Sequence, residues 1–197
     1  MNMFCKSVSA LLVTVAAATA FAQHPDHDNG AKLSDSEKAE RRTEIMQMAK
    51  DTLAELRKDA NARDLLDRAY GEAVFDTTKG GLIVTGAGGT GVAMHKNGSQ
   101  PVYMHMGEGG VGLGAGLEKY KVVLLFENKD IYDKFVEGAW SAGASAQAAA
   151  GKNGAGTVAK FNNGVAVYHL SDKGVIAQVD VTGVKFWPAD RLNPGPA

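Results

Sequence analysis

Residues 109–118 read Gly-Gly-Val-Gly-Leu-Gly-Ala-Gly-Leu-Glu, and this alternation constrains the fold more than any other stretch of the chain. Side chains alternate across a strand, so Gly110, Gly112, Gly114 and Gly116 leave one face as bare backbone. Val111, Leu113, Ala115 and Leu117 make the other face aliphatic. Glycine weakens a strand interior, and four on one face require close approach of another element, strong sheet curvature, or a ligand. Curvature and close packing fit best, because a small-residue helix follows. Asn128 caps a helix from Lys129, whose buried stripe is Ile131, Phe135, Gly138, Ala139 and Ala142. Residues 142–151 are nearly all Ala, Gly and Ser, and end at Gly151 and Gly154.

The surrounding texture is that of an antiparallel sheet. Asn97-Gly98 is a strong hairpin signal, pairing a strand near Gly89–Lys96 with one near Ser99–Met106. With Lys96 opposite Ser99, Ala93, Val102, Met104 and Met106 share one face, and Val92, Met94, Tyr103 and His105 the other. Both faces carry apolar groups, so both are covered. Lys121–Phe126 reads as a buried strand. A meander over Thr157–Phe161, Val165–Leu170, Val175–Val181 and Val184–Phe186 closes the chain, with turns at Asn163-Gly164 and Ser171–Gly174. In the third of these, Val175, Ala177, Val179 and Val181 point one way and Gln178, Asp180 and Thr182 the other.

Gly86, Gly88 and Gly91 have the G-x-G-x-x-G spacing of a dinucleotide site. That site needs a helix whose N-terminus faces the phosphates. The residues after Gly91 run straight into Asn97-Gly98 and Pro101, leaving no room for one. These glycines belong to a strand, and no nucleotide is expected. Gly151-Lys152-Asn153 lacks the Ser or Thr of a phosphate loop. Gly143–Gln147 lacks the last glycine of a nucleophile elbow. His95 and His105 fall on opposite hairpin faces, so they share no metal, and His169 has only Asp172 nearby, across a turn. No catalytic residue, metal or cofactor is expected.

Two helices precede the sheet. Ser34 to Glu37 is a capping box, and Ile45, Met48, Ala49, Thr52, Leu53 and Leu56 recur with helical spacing. Ala62, Leu65, Leu66 and Ala69 form a second stripe after a break near Asp59. The first helix packs on the domain as a surface helix, or lies on a membrane surface.

Residues 1–22 carry the pattern of a secretory signal: Lys6, the apolar Val8–Ala20, and Ala20-Phe21-Ala22 for cleavage. The expected exported chain starts at Gln23, with a flexible leader over 23–33 holding His24, Asp26, His27 and Asp28. The single cysteine, Cys5, lies inside the signal, so no disulfide, thiolate chemistry or lipid anchor is expected after cleavage. The formal net charge of −1 disfavours nucleic-acid binding.

Taken in order, GGLIVTGAGGTGVAM, Ser99-Gln100-Pro101, GVGLGAG, GASAQAAAGKNG and YHLSDKGVIAQVDVTG resemble the SYLF lipid-binding domain, from about Ala62 to Asn193. Gln178 replaces a usual glycine, and the aromatic residues usual after the last asparagine are missing beyond Asn193. The resemblance implies an α+β fold: an antiparallel, strongly curved or barrel-like meander with N-terminal helices over 34–70, a β-rich core over 80–187 and one internal small-residue helix. It implies structural roles for Gly86, Gly88, Gly91, Gly110, Gly112, Gly114 and Gly174. It implies a non-catalytic, exported envelope protein, periplasmic or secreted, that binds membrane phospholipid, anionic lipid favoured. Eukaryotic members bind phosphoinositide membranes, and some bind actin filaments. By that likeness Lys38, Arg41 and Arg42 meet head groups while Ile45, Met48 and Leu53 insert. A protein-interaction module without lipid affinity, with an envelope protein as partner, is the alternative. A small-ligand binder or enzyme using the glycine-lined face stands third.

Overall fold

The computed structural model describes residues 33–81, 84–96, 98, 100–111, 116–138, 160–171, 174–178 and 184–194. The signal and leader (1–32), Gly112, Gly114 and the small-residue segment 139–159 lie outside the described residues.

Helix α1 spans Asp35–Leu56. Ser34 starts it as expected: its Oγ accepts from Glu37 N, while the Glu37 carboxylate accepts from Ser34 N at 2.7 Å. Helix α2, Ala60–Arg68, starts at Asp59, whose carboxylate accepts from the Asn61 and Ala62 amides. Both stripes face inward, with Ala49, Leu56, Ala62, Leu65 and Leu66 all buried.

Seven antiparallel strands follow: β1 Gly71–Gly81, β2 Val84–His95, β3 Val102–Val111, β4 Gly116–Phe126, β5 Val165–Ser171, β6 Gly174–Gln178 and β7 Val184–Pro188. Their order is β6-β5-β4-β1-β2-β3-β7. The α+β reading holds, and the β2–β3 register is the expected one, Ala93 against Val102 and Val92 against Tyr103. Three expectations change. The sheet begins at Gly71 rather than 80, and β1 is its central strand. The alternating glycines are not one strand, for Gly110 lies in β3, which ends at Val111, and Gly116 opens β4. The closing meander is broken, because β7 leaves β6 and pairs with β3 at the far edge; Lys160 and Phe161 lie in no strand.

The order β4-β1-β2-β3 is that of a Greek key, and the last connection fixes the curvature. Gln178, Val167, Leu124, Ala73, Ala93 and Val102 lie in one transverse row, whereas Val184 pairs with Glu108, farther along β3. In a flat sheet, strands spaced about 4.8 Å with a rise of about 3.4 Å per residue would put Gln178 about 35 Å from Val184. The chain between them reaches at most about 22 Å. The sheet therefore curls, though it stays open at its edges. Phe186 of β7 reaches 5.1 Å, centroid to centroid, from Phe75 of β1, three strands away.

The inner face holds Ala73, Phe75, Met104, Val122, Phe126 and Phe186. Helix α3, Lys129–Val136, plugs it: Phe135 lies 4.7 Å from Phe126 and 5.1 Å from Phe186. Asn128 caps α3 as expected, its Oδ1 accepting from Ile131 N at 3.1 Å. The helix stops earlier than its stripe suggests, because Gly138 takes φ +74° and turns the chain away. The outer face is covered by α1, α2, Ala189 and Leu192 over Val74, Val92, Tyr103, Val123 and Tyr168.

The glycines of β2 divide by geometry. A Cβ on Gly91 would lie 2.1 Å from Val74 O, and one on Gly89 2.5 Å from Asp76 O, so tight β1–β2 contact requires glycine there. A Cβ on Gly88 would meet nothing within 4 Å. Gly91→Ala should therefore destabilise the fold by about 1–3 kcal/mol in urea titration. Gly88→Ala should be neutral or stabilise by up to about 1 kcal/mol; equal losses would overturn the assignment. The Tyr132 hydroxyl is buried without a hydrogen-bond partner, and burial pushes its pKa up to about 12. Tyr132→Phe should leave stability within about 0.5 kcal/mol of the parent or raise it, since a desolvated, unpaired group is removed.

Candidate functional site

The basic residues singled out on α1 sit at i, i+3 and i+4, on one flank of its N-terminal half. Lys38 is 3.2 Å from Asp35, and Arg41 is exposed. Arg42 is held down: its Nε donates to Leu192 O at 2.6 Å, and its guanidinium lies 6.0 Å from the centre of the Tyr103 ring. Burial raises the Tyr103 phenol pKa, and Arg42 works against that rise. Ile45 and Leu53 are each 8% exposed, and Met48 packs beside them on the outer core. The apolar residues assigned to membrane insertion are thus taken up by the sheet.

The segment after β7 completes this region. Asn193 Oδ1 accepts from Tyr103 N at 2.9 Å, while its Nδ2 donates to Tyr103 O at 2.8 Å. Its carboxamide pairs with β3 as a peptide unit of a neighbouring strand would. Ala189 N also donates to Tyr103 O. Helix α1, β3 and the C-terminal segment thereby meet at one residue.

The outer face changes character halfway along its strands. Tyr168, Val123, Val74, Val92 and Tyr103 form a transverse row buried under the helices. The next row is Leu170, Lys121, Asp76, Thr90, His105 and Trp187, with Leu170 still buried; beyond it come Lys119, Thr78, Gly88, Gly107 and Lys185. Asp76, Thr78, Lys119 and Lys185 are exposed. The Trp187 ring lies over Gly107, where a Cβ would come within 2.9 Å of it. Sequence reasoning missed this surface, because its residues are scattered over five strands.

The remaining singled-out residues do not converge. His95 stacks on Tyr70 and meets Tyr132 edge-on, His105 lies 5.9 Å from Trp187, and His169 stacks on Tyr120. Among the described residues no three His, Cys, Asp or Glu side chains are grouped to hold a metal ion. Gly86 and Gly88 lie within β2 and Gly110 within β3, so the G-x-G-x-x-G segment is extended strand rather than a phosphate-cradling turn. Gly174 serves the β5–β6 turn with φ +107°.

A curled antiparallel sheet, with helices on its outer face and an open polar shelf beside them, defines an α+β domain. Residues 107–194 match the family described as "Ysc84: Las17-binding protein actin regulator". "Beta cell expansion factor A" of Aeromonas veronii is 35% identical over 163 residues, covering 82% of this chain and 62% of that protein. The chain thus spans less than two thirds of that relative's length. Both likenesses agree with the resemblance to SYLF (Ysc84), a family of binding and regulatory domains.

One half-buried acid was also missed. Glu72 shares the outer face with Val74, and burial raises its carboxyl pKa above 4.5, against the opposing pull of Lys96 and Arg57. Lys96 itself donates to Leu66 O and Asp67 O at the end of α2. As pH rises through 4.5, the unfolded chain loses this proton before the folded one, so the group costs stability above that window and nothing below it. Glu72→Gln should accordingly stabilise the fold at pH 7 and be neutral at pH 3.5. Denaturant midpoints at the two pH values test this, and a loss at pH 7 would refute it.

Proposed function

We propose that this chain is an exported, peripheral phospholipid-binding protein of the cell envelope that acts without catalysis. Likeness to the SYLF family supports the reading, and one observation carries it. Lys38, Arg41 and Arg42 present three cations on one flank of an outer-layer helix, and the C-terminal segment holds only Arg42 among them. Each basic residue near an anionic surface contributes about 1 kcal/mol. Asp35, Glu37, Glu40 and Glu44 lie close by in α1, so the attraction is weak and screened by salt. Insertion of Ile45, Met48 and Leu53 further requires α1 to lift from the sheet, breaking the Arg42–Leu192 contact. The description of the matched family as a Las17-binding protein supports a second reading, an interaction module for an envelope protein partner.

The purified protein should co-sediment with vesicles containing anionic lipid at low salt, release as salt rises, and ignore zwitterionic vesicles. No sedimentation at the lowest salt would reject lipid binding and leave the protein-partner reading. Export is checked in the same preparation: the N-terminus of the envelope fraction should be Gln23.

A further inference from the structure

We propose that the open half of the outer sheet face is itself a contact surface for anionic phospholipid, separate from α1 and resting on the membrane reading above. The two open rows carry Lys119, Lys121 and Lys185 against a single carboxylate, Asp76. Lys121 stands at 4.0 Å from Asp76, with the pair 39% and 58% exposed, so its charge is only loosely matched. Among the described residues no carboxylate pairs with Lys119 or Lys185. Gly88 and Gly107 give the surface a floor of backbone, above which the lysines rise on either side. A Cβ at Gly88 would meet empty space.

Trp187 supplies the second element. Its ring lies on Gly107 at the edge strand, half-buried, in the same row as Lys121 and two residues along β7 from Lys185. An amphipathic indole flanked by cations on long apolar stems matches the head-group layer of a bilayer, where tryptophan rings and snorkelling lysines both settle. A shelf of lysine and indole on the convex face of the sheet suits a fluid layer of phosphates. The protein's overall charge of −1 gives no long-range attraction for free polyanions. The shelf adjoins the end of the sheet where β1 turns into β2, beyond the rows that α1 and α2 cover. The protein can meet a membrane there with its helices still docked.

The test measures affinity for vesicles of phosphatidylglycerol and phosphatidylcholine with three proteins: the parent, K119Q/K121Q/K185Q, and K38Q/R41Q. Each shelf lysine removed should weaken binding about fivefold, and the triple variant about a hundredfold, with a nearly unchanged thermal midpoint because Lys119 and Lys185 are exposed and Lys121 is only loosely paired with Asp76. K38Q/R41Q should also weaken binding, by the separate contribution of α1, but should leave the Trp187 response at saturating vesicles unchanged. In a W140F background, Trp187 emission should shift to shorter wavelength on vesicle addition and be quenched by brominated lipid. Parental binding by the triple variant with an unmoved Trp187 spectrum overturns the shelf and leaves membrane binding to α1. Failure of the parent itself to bind overturns the membrane reading and the shelf together.

Discussion

The short connection between opposite sheet edges is the constraint on which the rest depends. Strands β6 and β7 lie six neighbours apart, yet the chain between Gln178 and Val184 cannot bridge a flat sheet of that width. Curling is thus enforced covalently, and the side chains follow. The inner face becomes a trough too narrow for another sheet but wide enough for aromatic rings, which Phe75, Phe126, Phe135 and Phe186 supply. Because ring pairs add attraction beyond buried area, α3 with its single Phe135 closes the trough using only eight residues. Glycine at 89 and 91 lets β1 and β2 approach in the same curl.

The outer face answers to a different demand. A curled sheet exposes a convex surface longer than two helices of this size can cover, so from β4 to β7 burial relaxes between the row of Val74 and the row of Asp76, while Leu170 of β5 stays covered. Two surfaces lie side by side here: a helix tethered through Arg42, and a shelf of backbone, lysine and indole.

Much of this was legible in the sequence. Ser34, Asn128 and their partners marked helix starts because capping is local chemistry. The Asn97-Gly98 spacing gave the β2–β3 register because a two-residue turn leaves no freedom in pairing. Strand β1 was hidden by the change of cover along the outer face: Val74 is buried, Asp76 is exposed, Glu72 is half-buried, and Thr77 on the other face is fully enclosed. That run shows neither clean alternation nor continuous apolarity. The alternating glycines misled for a related reason, since period two cannot reveal that the chain leaves one strand and enters another. The shelf was invisible because only register brings Lys119, Gly107 and Trp187 together, and the partner edge of β7 is a long-range choice.

Asn193 carries a consequence of another kind. Its carboxamide substitutes for a peptide unit beside Tyr103, so the integrity of that sheet edge rests on an amide that water can hydrolyse over time. The usual route proceeds through attack by the backbone nitrogen of the following residue. Here that residue is Pro194, whose nitrogen carries no hydrogen, and cyclisation to the imide is closed. Asn163, set before Gly164 in a turn with both residues at positive φ, has no such protection. Chemical ageing of this protein is therefore directed to its Asn-Gly pairs, at 29, 97, 153 and 163, and away from the amide that fastens the C-terminal segment.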